Sequence, residues 1–524
     1  MKKLIIIQFF LCSFGISYAQ EFTDSNLPIV VITTNEQPII DEPKINCNMG
    51  IIWNKNGERN SLNDEFNDYN GKIGIEIRGS TSQQYPKKSY GFETRDSVGN
   101  NLNVSLLDLP KENDWILYGA YPDKPLMRNE ITYWLFEQMQ PYSPRFVYCE
   151  LFIDGNYMGV YTLIEKIKRD KNRIDITELD IDDNAGDSLT GGYIIKVDKL
   201  TGSSNIPWTS DYQPKLKFLY HDPKYSELTA IQRDYIKNYV DDFEDAVYGP
   251  NFADTTVGYR AYIDTKSFID FMLMQELGRT VDGYRSSSFM YKDRDSKGGK
   301  LKCGPMWDFN LSYGNADYCA AYDTSGWQYN FCEVCPTFPT EPPEWWERFL
   351  QDNTFADELQ CRWQFLRSTI LEKSYIDSWI DSTALYLEES QQRNFAKWPV
   401  LGKYVNWNYF VGNTFQEEID YLKWWFNARS LYMDENLPGY CNSTVIKENI
   451  ISDNNSNNNI SVYPNPTTGI LKTTASDNST IKLFAIDGSA IQINISGGKI
   501  NLNHLQNGYY ILLIDNQAFK VVKQ

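Results

Sequence analysis

The sequence predicts an α+β chain that ends in a small all-β sandwich. Three observations carry this. Apolar residues alternate with a period of two in the first part of the chain, as in Ile73, Ile75 and Ile77, which turns one face of a strand to a core. From 320 to 440 the aromatic residues fall mostly at helical spacing, with tryptophan at 327, 345, 346, 363, 379, 398, 407, 424 and 425; such stripes line cores. Beyond an Asn/Ser/Asp linker, residues 460–524 return to short alternating runs parted by turn signals, the pattern of a sandwich.

A chain of 524 residues is long enough for two to four domains. Its formal net charge is −19, which disfavours nucleic acid or anionic lipid as partners, since both need a basic face. Two histidines, His221 and His504, leave little room for a catalytic triad or a His-rich zinc centre. Residues 1–19 read as an export signal: Lys2 and Lys3, an apolar LIIIQFFLCSFGI, then a small-residue cleavage site at Ser17-Tyr18-Ala19. Nothing later approaches the length of a membrane-spanning helix. Eight cysteines follow the leader, at 47, 149, 303, 319, 332, 335, 361 and 441, and an exported chain can pair them. Cys332 and Cys335 form a single CxxC, which reads as structural or disulfide-forming rather than as a zinc site.

Residues 20–60 hold strands at LPIVVITT and MGIIWN, an N-terminal segment packed on the domain that follows. Residues 72–95, KIGIEIRGSTSQQYPKKSYGFETRD, read as strand, small-residue loop, strand. The loop at Arg78, Gly79, Ser80, Thr81 and Ser82 can turn backbone N–H groups toward an anion, and Lys87 and Lys88 open the next strand. A helix over 128–139 shows an apolar stripe at Ile131, Trp134, Leu135 and Met139. Glu130 and Glu137 lie off that stripe, where either could reach a strand lysine or simply meet solvent. Asp154-Gly155 joins two alternating runs in FVYCELFIDGNYMGVYTLIE, a strong hairpin signal. A strand at YIIKVDK and a helix at LTAIQRDYIKNYVDDFEDAVY come next. The helix at 264–277 is capped by Asp264 or Thr265 and can end at Gly278. It leads into QELGRTVDGYRSSSFMYKDRDSKGGKLKCGPMWDFNLSYGN, a hairpin with Asp282 before it and Asp308 after it. Two carboxylates so placed can set an acid/base group beside a metal ligand.

Four motifs, IRGSTSQQYPKKSY, DWILYGAYPDKPLMRN, ELFIDGNYMGVYTLIEKI, and the pair ELGRTVDGYRSSSFMY and GPMWDFNLSYGN, together resemble the CotH kinase family over residues 61–440. VYPNPTTG, AIDG and LQNGYYILLI resemble the type A sorting domain of the type IX secretion system over 460–524, after a linker at 441–459. The first resemblance implies an atypical protein-kinase-like domain with a β-rich N-lobe and a helical, Trp-rich C-lobe. It also implies ATP with Mg²⁺ or Mn²⁺ as cofactors and a protein acceptor. Arg78, Gly79, Ser80 and Ser82 would cover the nucleotide phosphates, with Lys88, or else Lys87, on a phosphate oxygen. Glu165 would lie at the hinge near the adenine edge. Asp282 would orient the attacking hydroxyl, and Asp308 would hold the metal, with Asn310 and Ser287 standing at its further ligand positions. The pattern is thinner there than in ordinary kinases: no HRD precedes Asp282, Ser287 replaces an Asn, and Asn310 replaces an Asp. The second resemblance implies the type IX machinery as a partner and a secreted or surface location. An alternative is a catalytically weak surface protein that binds glycans through exposed tryptophans. A glycosidase with an acid pair is weaker still, since nothing in the sequence marks a sugar cleft.

Overall fold

A computed structural model describes residues 22–200, 206–441 and, with interruptions, 462–523. The chain separates into two compact units, one through Cys441 and one from Asn442 onward. The leader and nearly all of the linker lie outside the described residues.

The first unit opens with a closed seven-stranded barrel in the order β1-β2-β3-β4-β5-β7-β6. Its strands are β1 (Ile29–Thr33), β2 (Ile45–Ile52), β3 (Tyr69–Arg78), β4 (Ser89–Arg95), β5 (Asp114–Tyr118), β6 (Phe146–Ile153) and β7 (Asn156–Glu165). The two strands of the 20–60 segment are therefore staves of the same barrel as those beyond residue 61, and the parallel pair β1–β6 closes it. The barrel core is the alternating set read from the sequence, with Ile73, Ile75, Phe92, Trp115, Leu151 and Leu163 nearly inaccessible. Asp154 and Gly155 turn the β6–β7 hairpin with φ of 46° and 75°, the left-handed pair that suits strand twist.

A second sheet runs β12-β11-β8-β10-β9, from β8 (Tyr193–Val197), β9 (Trp208–Thr209), β10 (Lys217–Asp222), β11 (Ser288–Lys292) and β12 (Lys302–Cys303). The helices are α1 (Arg128–Glu137), the short α2 (Gly186–Leu189), α3 (Ala230–Tyr248), α4 (Thr265–Gly278), α5 (Phe331–Val334), α6 (Trp345–Phe349), α7 (Asn353–Arg367), α8 (Lys373–Tyr386), α9 (Glu388–Lys397) and α10 (Phe415–Asn436). Trp345, Trp346, Trp363 and Trp425 are buried in their shared core, as aromatics at helical spacing should be, while Trp424 is exposed.

Helix α4 sits at the centre of this half, buried on every side from Ser267 to Gly278. Its polar side chains are accordingly paired: Asp270 with Arg362 at 2.7 Å and Glu276 with Arg429 at 3.3 Å. Asp264 caps it by accepting the Ser267 N–H at 2.8 Å. The helix does not stop at a left-handed Gly278. That glycine stays within the helix, where a Cβ would lie 2.8 Å from the Phe309 ring, and Arg279 takes the left-handed position instead, with φ of 40°.

The second unit carries β13 (Val462–Tyr463), β14 (Ile470–Thr473), β15 (Ile481–Ala485), β16 (Ala490–Ile491), β17 (Asn494–Ser496), β18 (Lys499–Asn501), β19 (Gly508–Ile514) and β20 (Gln517–Lys523). They form two four-stranded sheets, β13-β14-β18-β17 and β16-β15-β19-β20. Leu471 and Ile500 of one sheet and Leu483, Leu512 and Val521 of the other belong to one apolar cluster.

Candidate functional site

Asp282 and Asp308 lie at the two ends of the β11–β12 hairpin, and the fold brings them together. Asp282 stands in the turn that follows α4. Arg285 fixes it, with Nη2 at 2.8 Å from Oδ1, and the Arg285 guanidinium is itself held between the rings of Phe331 and Phe338 at 4.5 and 4.1 Å. From α1, the Asn129 Oδ1 accepts the Phe309 N–H at 2.7 Å and Thr132 meets the Tyr313 hydroxyl at 2.7 Å, which anchors the chain on the far side of Asp308. Arg279, Tyr284, Ser287 and Asp308 all have left-handed backbones, with φ of 40°, 65°, 50° and 65°. Non-glycine residues adopt this conformation at a cost, and such residues cluster at functional sites.

The Asp308 carboxyl feels the charge of Asp282. Burial pushes the Asp308 carboxyl up to about 6, and repulsion from Asp282 adds to it, while Lys199 and Arg78 pull it down and Asp198 pushes it up. Arg78, at the end of β3, lies over the Trp307 ring at 5.6 Å. Burial lowers its pKa and Asp308 partly restores it. Asp198 and Lys199 follow β8, the strand paired with β11. In the sequence both look like the ordinary end of the strand YIIKVDK, with nothing to mark them for a site; the strand in fact stops at Val197, and only the pairing of β8 with β11 places them here.

The loop after Arg78 is shaped by its own residues. Gly79 has φ of 108°, and a Cβ on it would fall 2.0 Å from the Ser82 Oγ, so only glycine suits the position. Ser80 leads into a turn of 3₁₀ helix over Thr81–Gln84. Lys88 clamps that turn, its Nζ donating to the Gln83 carbonyl at 2.6 Å. Lys87 points the other way, into the interior. It donates to the Val160 carbonyl at 2.5 Å and the Asn394 Oδ1 at 2.8 Å, and burial lowers it to about 7.

Glu130, of the two α1 glutamates, faces inward. Thr162 donates to its Oε1 at 2.7 Å, while its Oε2 and the neighbouring Tyr118 hydroxyl have no hydrogen-bond partner. Burial raises this carboxyl to about 8, Asp123 adds to the rise, and Lys87 opposes it. Glu137 is exposed.

Three of the expected residues stand apart in their contacts. Glu165, at the end of β7, is buried in a bidentate pair with Arg145 at 2.7 and 3.0 Å, so its carboxylate is committed. Asn310 lies two residues past Asp308 in a turn, where its carbonyl accepts the Asn315 amide at 2.7 Å. Ser287 is half-buried just before β11.

Among the described residues no group of three or more His, Cys, Asp or Glu side chains is gathered to hold a metal ion. The donor set at Asp282 and Asp308 still suits one cation. Mg²⁺ binds through one or two carboxylates and takes its other oxygens from water and phosphate, and a cation would relieve the repulsion that raises Asp308. A cleft of about 280 Å³ lies beside the loop, between Thr81, Gln84 and Tyr85 on one side and Tyr404 to Trp407 on the other.

Comparison with known proteins adds two findings. No curated protein matches the chain. Residues 461–524 match the secretion system C-terminal sorting domain, the type IX tail, which implies export to the cell surface or medium. No described helix is long and apolar enough to cross a membrane. Residues 75–433, well over half of the chain, match the CotH kinase protein family, and the chain therefore belongs to that family.

Proposed function

We propose that this is an exported phosphotransferase that moves the ATP γ-phosphoryl group to Ser or Thr hydroxyls of surface or secreted proteins. In this reading the barrel acts as the N-lobe of a kinase-like domain and the α4-centred half as its C-lobe. The second unit is a β-sandwich recognised by the secretion machinery. The observation that carries the proposal is the convergence of Asp282 and Asp308 with the cations Arg78 and Lys199, next to a glycine-shaped loop.

Each residue then has a task. Asp282, oriented by Arg285, accepts the proton of the acceptor hydroxyl as it attacks. Arg78, Lys199 and the N–H groups from Gly79 to Ser82 stabilise the phosphate oxygens. Lys88 holds the loop and reaches the phosphates by exchanging the Gln83 carbonyl for a phosphate oxygen. Lys87 and Glu130 support the floor of the site from within. Asp308 would hold Mg²⁺ or Mn²⁺, which when bound neutralises charge on the transferring group; the Asn310 and Ser287 oxygens stand where the family resemblance implies its further ligands. Glu165, tied to Arg145, would shape the hinge through its backbone.

A glycan-binding protein without turnover has less support, since of the nine tryptophans from 327 to 425 only Trp424 is exposed. The test is transfer from γ-labelled ATP to a casein-like acceptor by the full exported chain, with Mg²⁺ or Mn²⁺. Asp282→Asn and Asp308→Asn should each lower the rate at least ~100-fold, the usual scale for losing an acid/base or metal group. No transfer, together with no ATP- and metal-dependent rise in Tm, would refute the proposal. Full rates in either variant would refute the site.

A further inference from the structure

The CxxC motif has no part in the proposed reaction, yet its surroundings are unusual. Cys335 is bonded not to Cys332 but to Cys319, 16 residues earlier. Cys332 is left as a free thiol and, unlike the free cysteines at 47, 149 and 303, it is exposed. It lies in α5, three residues before Cys335. Cys335 caps that helix, its N–H donating to the Phe331 carbonyl at 2.8 Å, so one helical turn of backbone sets the two cysteines about 5 Å apart at Cα, inside the span a disulfide bridges.

We propose that Cys332 is a thiol–disulfide exchange site. Its thiolate attacks the Cys335 Sγ, a Cys332–Cys335 bond forms as the Cys319–Cys335 bond breaks, and Cys319 leaves as a thiolate. Cys319 takes up the proton that Cys332 gave up, so there is no net oxidation and no added oxidant or reductant is needed. The three sulfurs keep one bond between them and move it.

What the bond holds gives the exchange a consequence. Cys319 follows Tyr318, whose ring packs on Phe338 and on Trp407. Cys335 links the other two rings of the cluster: its N–H donates to the Phe331 carbonyl at 2.8 Å, and its carbonyl accepts the Phe338 N–H at 3.2 Å. Phe331 and Phe338 are the rings that hold Arg285 against Asp282. Exchange unties the Tyr318 side of this cluster and leaves the CxxC side closed on itself. The exchange stands whether or not the chain transfers phosphoryl groups; only its effect on Asp282 rests on that reading.

Burial raises the Cys332 thiol, with Glu341 and Glu344 adding to it and Lys215 and Arg285 opposing. The thiolate fraction, and with it the rate of exchange, should therefore be roughly 50- to 100-fold higher at pH 9 than at pH 7. The test uses the full exported chain, held at each pH without reductant, trapped with N-ethylmaleimide at pH 6 and mapped by peptide mass spectrometry. At pH 7 Cys332 should carry the label and Cys319 should remain bonded to Cys335. At pH 9 a second population, with Cys319 labelled and Cys332 bonded to Cys335, should build up roughly 50 to 100 times faster than at pH 7. Cys332→Ser should abolish that population. A Cys319 that stays unlabelled in the wild type at pH 9 overturns the proposal, as does Cys319 labelling that persists in Cys332→Ser. Cys319→Ser should form the Cys332–Cys335 bond on air oxidation, and two free thiols there would also overturn it. Should that variant not fold, the wild-type arm decides alone.

Discussion

At the scale of the residue, Asp308 and Glu130 are both carboxyls held above their ordinary range, to about 6 and about 8. For each, the folded state keeps a proton that the unfolded chain has already released. Stability is therefore lost as pH rises from the unfolded pKa to the folded one, and the loss is complete above it. In chelator-treated buffer, Asp308→Asn should match wild type in Tm near pH 4, exceed it increasingly as pH rises, and level off above about pH 6. Glu130→Gln should show the same rise but level off only above about pH 8. Thermal scans across pH check both, and a pH-independent difference would contradict the assigned causes. Added Mg²⁺ should erase the advantage of Asp308→Asn and leave that of Glu130→Gln in place. Asp282 and Asp308 were legible as candidates because each sits in a distinctive motif. Lys87 and Lys88 were not separable, since only the barrel decides that one points inward and the other to the loop.

At the scale of the element, the end of α4 sets where Asp282 falls. Gly278 looked like the natural stop, but its missing side chain serves the close approach of Phe309. Gly278→Ala should push against that ring and the chain leading to Asp308. Overpacking of this kind costs about 1–3 kcal/mol, to be read as a lower denaturation midpoint, and should also lower transfer activity; an unchanged midpoint would show that Phe309 can yield. The hairpins at Asp154-Gly155 and between β11 and β12 were legible because turn chemistry is local. The nearness of Asp198 and Lys199 to Asp308 was not, because strand order in a sheet is a property of the whole fold.

At the scale of the whole molecule, the first unit runs through Cys441, one residue past the boundary read from composition. Cys441 is bonded to Cys361 in α7 across 80 residues, and the Tyr440 N–H donates to the Asp357 carboxylate at 2.7 Å. A chain ending at Tyr440 should be less stable than one ending at Cys441 by about 2–4 kcal/mol, the usual contribution of such a bond, and equal urea midpoints would contradict this. Removing 442–524 should leave the first unit folded but retained in the periplasm, as fractionation would show. Surface delivery without the tail would refute its sorting role.

By itself the sequence determined the classes of element, the change of character after residue 440 and the family, and it singled out the pair Asp282 and Asp308 as candidates. These follow from periodicity, turn chemistry and motifs, which act over a few residues. The tertiary structure alone decided that β1 and β2 close the barrel and that Glu130 rather than Glu137 faces the interior. It also decided that Asp198, Lys199 and Arg78 gather around Asp308, and that Cys335 pairs with Cys319. Each depends on which distant segments share a core, and burial, which raises Asp308 and Glu130, exists only once that core has formed.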